Sequence, residues 1–156
     1  MQDEELKGFL ALTRGWCARR DRSTAEVRQR LLREGASPEQ CEKVIDHLKD
    51  EHYVDDQRFA SAFVSGHFRI KQWGRKKIRY ALKGLGVDDA TILQALQNDI
   101  DDEEYLLALR HVLDKKLGRD RTHPAARQKA INHAMQRGFE SDLIFETLAQ
   151  LTKENQ

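Results

Sequence analysis

The sequence predicts an all-α protein of three tandem three-helix repeats forming an elongated, curved array. Three observations carry that expectation. Gly35, Gly86 and Gly138 lie 51 and 52 residues apart, and each closes one stretch of helical periodicity and opens another. Such self-similarity marks a tandem array, whose units bury their apolar faces partly against neighbours. No segment alternates apolar and polar residues as a half-buried strand would. Only two prolines and nine glycines punctuate 156 residues rich in Leu, Ala, Lys, Arg, Glu and Gln, all of which favour helix.

The elements follow in order as nine helices in three groups. Leu6, Phe9, Leu10 and Leu12 begin an amphipathic helix that continues to about Arg20. Ser23 offers an N-cap and Glu26, three residues on, completes a capping box. The second helix buries Val27 and Leu31 and stops at Gly35, suited to a left-handed cap. Ser37, Pro38 and Gln40 open the third, with proline welcome at the first helical position and Gln40 closing a second capping box. Val44, Ile45 and Leu48 form its inner stripe. Asp55 caps the fourth helix, Asp56 complements its dipole, and Phe59, Ala60, Phe63 and Val64 recur at helical spacing. Gly74 starts the fifth, which runs to Gly84 or Gly86 with Ile78 and Leu82 inside. Asp88 and Asp89 start the sixth, carrying Ile92 and Leu96. Asp101 to Glu104 fit the first turn of the seventh, or form a solvated acidic patch or a contact for a basic partner, with Tyr105, Leu106, Leu109 and Val112 as the helical row. A longer linker around 118–124 precedes the eighth, Ala125 to Arg137, and Ser141 and Asp142 open the ninth, which runs through Leu151. The repeats are expected at 1–52, 53–100 and 101–156.

Composition narrows the function classes. Cys17 and Cys41 are too few for a disulfide framework and lack metal-ligand neighbours, so both read as small buried hydrophobes. The N-terminal stretch is acidic without a long apolar core, unlike a signal peptide, and no apolar run approaches the roughly 20 residues that cross a bilayer. A cytoplasmic protein with no membrane contact is the expectation. The six histidines form no HExxH and pair with no cysteine at metal spacing. Gly84-x-Gly86 lacks the preceding strand and the third glycine of a dinucleotide loop. No enzyme, metal or cofactor is expected.

Charge is distributed unevenly. Charged residues make up 34% of the chain, yet net charge is only +1. From Gln57 to Val87 there is no Asp or Glu, while eight of the 27 Lys and Arg fall there: Arg58, Arg69, Lys71, Arg75, Lys76, Lys77, Arg79 and Lys83. At about 100° per residue, Arg75, Lys76, Arg79 and Lys83 share one quadrant of the fifth helix, apart from the face of Ile78, Ala81, Leu82 and Leu85. Arg75, Arg79 and Lys83 are successive i,i+4 neighbours of like charge, each pair costing a few tenths of a kcal/mol, with no acid on the helix to offset them. An external anion would explain that stripe, and phosphate backbone is the commonest. The other reading is a solvated face, or pairing with acids on neighbouring helices. Trp73 and Tyr80 could stack on unpaired bases, although packing is the favoured reading of each. Four to six phosphate contacts would give a log–log salt slope of about −3 to −4 on single strands, with weak, non-specific binding.

Three motifs resemble those of the bacterial RecX regulatory proteins, modulators of the RecA recombinase. They are Arg19-Arg20-Asp21-Arg22-Ser23 leading into Glu26, Val27, Leu31 and Gly35; Tyr53-Val54-Asp55-Asp56-Gln57-Arg58-Phe59-Ala60; and Gly74 followed by Ile78, Leu82 and Gly86. Together they span about residues 16–90, and the second is the most specific. The resemblance implies tandem three-helix repeats and a negative regulator of RecA. Such proteins bind in the groove of the RecA filament on single-stranded DNA and inhibit its extension, ATP hydrolysis, strand exchange and coprotease activity. Within the second motif, Asp55 is expected to cap, Phe59 to pack and Tyr53 to anchor the approach to the helix. Arg58 either bridges to a carboxylate or faces the partner. A monomer binding the RecA filament and, with weak to moderate non-specific affinity, single-stranded DNA is the leading expectation. A stand-alone helical nucleic-acid-binding protein is the alternative.

Overall fold

Three times the chain ends a helix in the same way. Gly35, Gly86 and Gly138 have φ of 96°, 82° and 96°, a region an L side chain enters only under strain. The residue after each glycine donates its N–H to a carbonyl five residues back: Ala36 to Leu31 at 2.9 Å, Val87 to Leu82 at 3.1 Å and Phe139 to Ala134 at 3.1 Å. These bonds satisfy carbonyls that the helix end leaves without a partner. They also tuck Ala36, Val87 and Phe139 into the interior. The repeat read from glycine spacing is thus a repeat of this cap.

A computed structural model describes residues 2–154, with side chains for 4–153. Among them lie nine α-helices and no strand: α1 (Gln2–Arg19), α2 (Thr24–Arg33), α3 (Pro38–Asp50), α4 (Asp56–Arg69), α5 (Arg75–Gly84), α6 (Asp89–Asp99), α7 (Asp102–Leu117), α8 (Pro124–Gln136) and α9 (Ser141–Glu154). The protein is all-α, as the periodicity predicts. The helices pack as two units, one comprising residues 1–62 and 82–92, the other 63–81 and 93–156, so that α4, α5 and α6 each contribute to both.

In the first unit, α1, α2 and α3 pack together around Val27, Leu31, Cys41, Val44, Ile45 and Leu48, each no more than 1% exposed. Both expected capping boxes form. The Ser23 hydroxyl accepts from the Glu26 N–H at 3.1 Å and the Glu26 carboxylate accepts from the Ser23 N–H at 3.2 Å, and Ser37 and Gln40 do the same for α3. Cys17 and Cys41 are free and buried. Burial pushes both thiols up from their ordinary value, which keeps them protonated and unreactive.

The first turn of α2 gathers the rest of this unit. The Thr24 N–H donates to Asp56 at 2.8 Å, so Asp56 serves the N-terminus of α2 as well as its own helix. The Ser23 hydroxyl donates to the Leu85 carbonyl at 3.1 Å. A Cβ on Gly86 would lie 2.3 Å from that of Ala25. Asp55 caps α4 by accepting from the Arg58 N–H at 3.1 Å, and Val54, Phe59 and Ala60 are buried.

In the second unit, α7 packs against both α8 and α9. Tyr105, Leu109, Leu113, Ala130, Ala134, Phe139, Ile144 and Leu148 form the interior. The Tyr105 ring lies 5.8 Å from that of Phe68 and 5.1 Å from that of Phe139, within the range favoured by tilted aromatic pairs. Leu106, placed in the inner row of α7 by its spacing, is instead 44% exposed, and Leu107 is 65% exposed. The leucines of the helix spread over about 160° of the wheel, wider than the face that α8 and α9 cover, and packing selects Tyr105, Leu109, Val112 and Leu113.

Candidate nucleic-acid interface

Helix α5 opens where two stretches of backbone meet. Gly74 caps it, its carbonyl accepting from the Ile78 N–H at 3.2 Å, while the Gly74 N–H donates to the Arg137 carbonyl at 2.7 Å and the Lys76 N–H to the Gly138 carbonyl at 3.0 Å. A Cβ on Gly74 would lie 2.3 Å from the Gly138 carbonyl carbon. The approach needs glycine on both sides. With its start held in this way, α5 buries Ile78 and Leu82 completely and turns its opposite face outward.

The stripe predicted on that helix divides. Arg75 lies about 20° from Leu82 on the helical wheel, at the edge of the apolar face, and it points inward. Its guanidinium bridges Glu140 at 3.0 Å and Asp102 at 2.8 Å, and its carbon stands 3.8 Å above the centre of the Tyr105 ring. The Tyr105 hydroxyl accepts from the Arg75 N–H at 3.0 Å and donates to Glu140. Burial, and the hydrogen bond to Glu140, push that phenol far above its ordinary value. Arg75 is therefore a structural anchor. The expectation of an unpaired ladder fails here because the acids that offset it sit on the seventh helix and ahead of the ninth, not on α5. Lys83 likewise pairs with Asp89 at 3.2 Å, although both remain about half exposed.

What α5 leaves exposed is Lys76, Arg79, Tyr80 and Lys83. Tyr80 is 82% exposed, so the expectation that it packs is overturned: at about 140° from Arg75 it lies beyond the reach of the buried face. A phenol set among cations offers a surface for stacking beside charges for phosphate. Trp73 is half-buried on the turn before α5. The Lys77 and Lys71 ammoniums lie 4.4 and 5.5 Å from its ring centre, and it is tilted against His67, which stacks on Phe63.

Arg58 and Arg69 differ in how firmly they are held. Arg58 bridges Asp21 at 3.0 Å and donates to the His52 and Tyr53 carbonyls at 3.1 and 3.4 Å. Of the two readings of Arg58, the structure shows the carboxylate bridge. Arg69 stands at 4.0 Å from Glu104 on an exposed surface, too loose a pair to remove it from solvent. Sequence reasoning missed Glu140 and Tyr105 as the partners of Arg75, the only signal being that residue's place at the edge of the apolar sector. Among the described residues no group of three or more His, Cys, Asp or Glu is placed to hold a metal, and no helix is long and apolar enough to cross a membrane.

Comparison with known proteins agrees across the chain. Profiles described as the first, second and third three-helix domains of RecX match residues 15–48, 55–96 and 102–148. The chain is 33% identical over 151 residues to the regulatory protein RecX of Prosthecochloris aestuarii, covering 97% of this chain and 98% of that protein. It is also 33% identical over 155 residues to the regulatory protein RecX of Bacillus subtilis, covering 98% of this chain but 58% of that longer protein. The crystal structure of RecX from Lactobacillus salivarius superposes with a TM-score of 0.88 at 18% identity, covering 96% of this chain and 98% of that one, a likeness of fold. On this similarity, end to end and repeat by repeat, the chain belongs to the RecX family of regulatory proteins.

Proposed function

We propose that the chain is a non-enzymatic negative regulator of the RecA recombinase. In this reading it binds, as a cytoplasmic monomer, to the RecA filament on single-stranded DNA and inhibits filament extension, ATP hydrolysis, strand exchange and coprotease activity. The exposed face of α5, formed by Lys76, Arg79, Tyr80 and Lys83, lies toward the strand or an acidic surface of the filament. Family membership supports the regulatory role. The observation that carries the contact is this face, drawn from a 31-residue stretch without a single acid and standing outside the packed interior.

The experiment is the ATPase rate of pre-formed RecA filaments on single-stranded DNA as the protein is titrated in. A variant carrying Lys76→Glu, Arg79→Glu and Lys83→Glu is run alongside. Arg75 is left intact because reversing it would break the anchor to Glu140 and Asp102. Loss of ATPase well below one protein per recombinase subunit, restored in the variant, is the expected result. Absence of any effect from either protein would sink the RecA reading. The position of Tyr80 among the cations favours one second reading, a stand-alone single-strand-binding protein. Strong affinity for naked strands at physiological salt, with no effect on RecA, would select it.

A further inference from the structure

Away from α5, the second unit holds another group of cations around a cavity. Lys115 and Lys116 stand in the last turn of α7, His133 lies in the last turn of α8, and Arg137 is the residue that caps it. With Gln72, on a turn of φ 57°, and Val112 they line a cavity of about 350 Å³. No carboxylate lines it. A volume near 300 Å³ is at the small end for ligand sites and is ample for a tetrahedral oxyanion.

Two cations near the end of a helix need no ligand to explain them, since they complement the negative end of its dipole. That account covers Lys115 and Lys116 on their own axis but does not cover what they face. The Arg137 guanidinium donates through Nε to His133 Nε2 at 3.2 Å and through a terminal nitrogen to the Lys71 carbonyl, so its plane is fixed at the cavity wall. Because His133 Nε2 is the acceptor, the ring proton sits on Nδ1 and the imidazole is neutral. Burial holds His133 below the ordinary imidazole value, and Lys116, Arg137 and Lys115 each lower it further. Three cations of the cavity thus disfavour a proton on His133. An anion among them would add an attraction to each of these positive charges and so offset that repulsion.

We propose that this cavity is a binding site for a phosphate group. Lys115 and Lys116 supply mobile point charges, Arg137 a fixed guanidinium, and Gln72 an amide donor. The source of the phosphate is either the backbone of a single strand or a free phosphate, and the site is independent of the α5 face.

His133 reports occupancy. The test follows its ring proton resonances by NMR across pH, at ionic strength held constant with chloride, using inorganic phosphate in one arm and oligothymidylate in the other. Either ligand is expected to raise the titration midpoint of His133 by roughly one unit, the size of a nearby opposite charge. Response to both marks a site open to free phosphate; response to the oligonucleotide alone marks a site for the strand. In Lys115→Ala/Lys116→Ala, which removes two exposed side chains, the shift is expected to disappear. In Gln72→Glu the added carboxylate is expected to raise His133 without ligand and to abolish the response. No movement of His133 with either ligand would overturn the proposal. So would a shift that persists in both variants.

Discussion

Two glycines of the second unit have no room to become alanine. At Gly138 an added Cβ would stand 2.4 Å from that of Lys77, on a backbone with φ of 96°. At Gly74 it would meet the Gly138 carbonyl group. At Gly138 strain and overpacking together are worth about 2–4 kcal/mol, and at Gly74 overpacking alone about 1–3 kcal/mol, so Gly138→Ala and Gly74→Ala are expected to lower stability by those amounts in chemical denaturation. Gly15 in α1 and Gly66 in α4 face open space at ordinary helical φ. There the same substitution removes backbone freedom from the unfolded chain, and a gain of about 0.5–1 kcal/mol is expected. A reversed sign at Gly66 would mean that something occupies the space beside it. His133 makes a prediction in pH. Its folded value is depressed, so the unfolded chain takes up its proton first, and stability falls as pH drops from 6.5 through the folded value. His133→Gln is expected to flatten that limb of a pH-stability profile, and saturating phosphate to do so in the unchanged protein.

Helices were legible where their signals were local and obscure where the deciding partner was remote. Ser23 with Glu26, Ser37 with Gln40, Asp55 and Asp88 all cap as their spacing implies, because a cap is completed within three residues. Asp56 shows the limit. Its place in the first turn of α4 was evident, while its bond to the Thr24 N–H, 32 residues earlier, was not. Arg75 is the costliest case, since Glu140 lies 65 residues away and nothing on α5 announces it. The exposure of Lys76, Arg79 and Lys83 was legible, because a residue set off the face of Ile78 and Leu82 is turned outward by the helix itself. At α2, the Ser23 hydroxyl both closes the capping box and donates to the Leu85 carbonyl while fully buried. Ser23→Ala is therefore expected to cost about 2 kcal/mol, beyond the roughly 1 kcal/mol of an ordinary cap, in thermal or denaturant unfolding. A loss of only about half a kcal/mol would show that the bond to Leu85 contributes little.

At the scale of the whole molecule, sequence repeat and packing unit differ. The RecX second-domain profile matches residues 55–96 as one piece, yet α4, α5 and α6 are each divided between the two compact units. Neither unit can lose these helices without taking structure from the other, because a helix propagates bond by bond through its length and a broken turn must be nucleated again. Unfolding should then be a single cooperative event despite the repeat architecture. The protein carries its own probes for this, with only two tryptophans: Trp16 in the first unit and Trp73 in the second. Trp16 lies under Arg22 and Arg30, at 4.1 and 5.3 Å, and Trp73 beside Lys71 and Lys77, so both rings sense their local fold. In Trp16→Phe and Trp73→Phe each unit is followed alone by the remaining fluorophore. Coincident denaturation midpoints, after correction for the stability each substitution removes, are the expected result. Separated midpoints, confirmed by a second probe such as helical circular dichroism, would show the shared helices fraying at their crossing points. The chain would then unfold as a repeat array does, unit by unit.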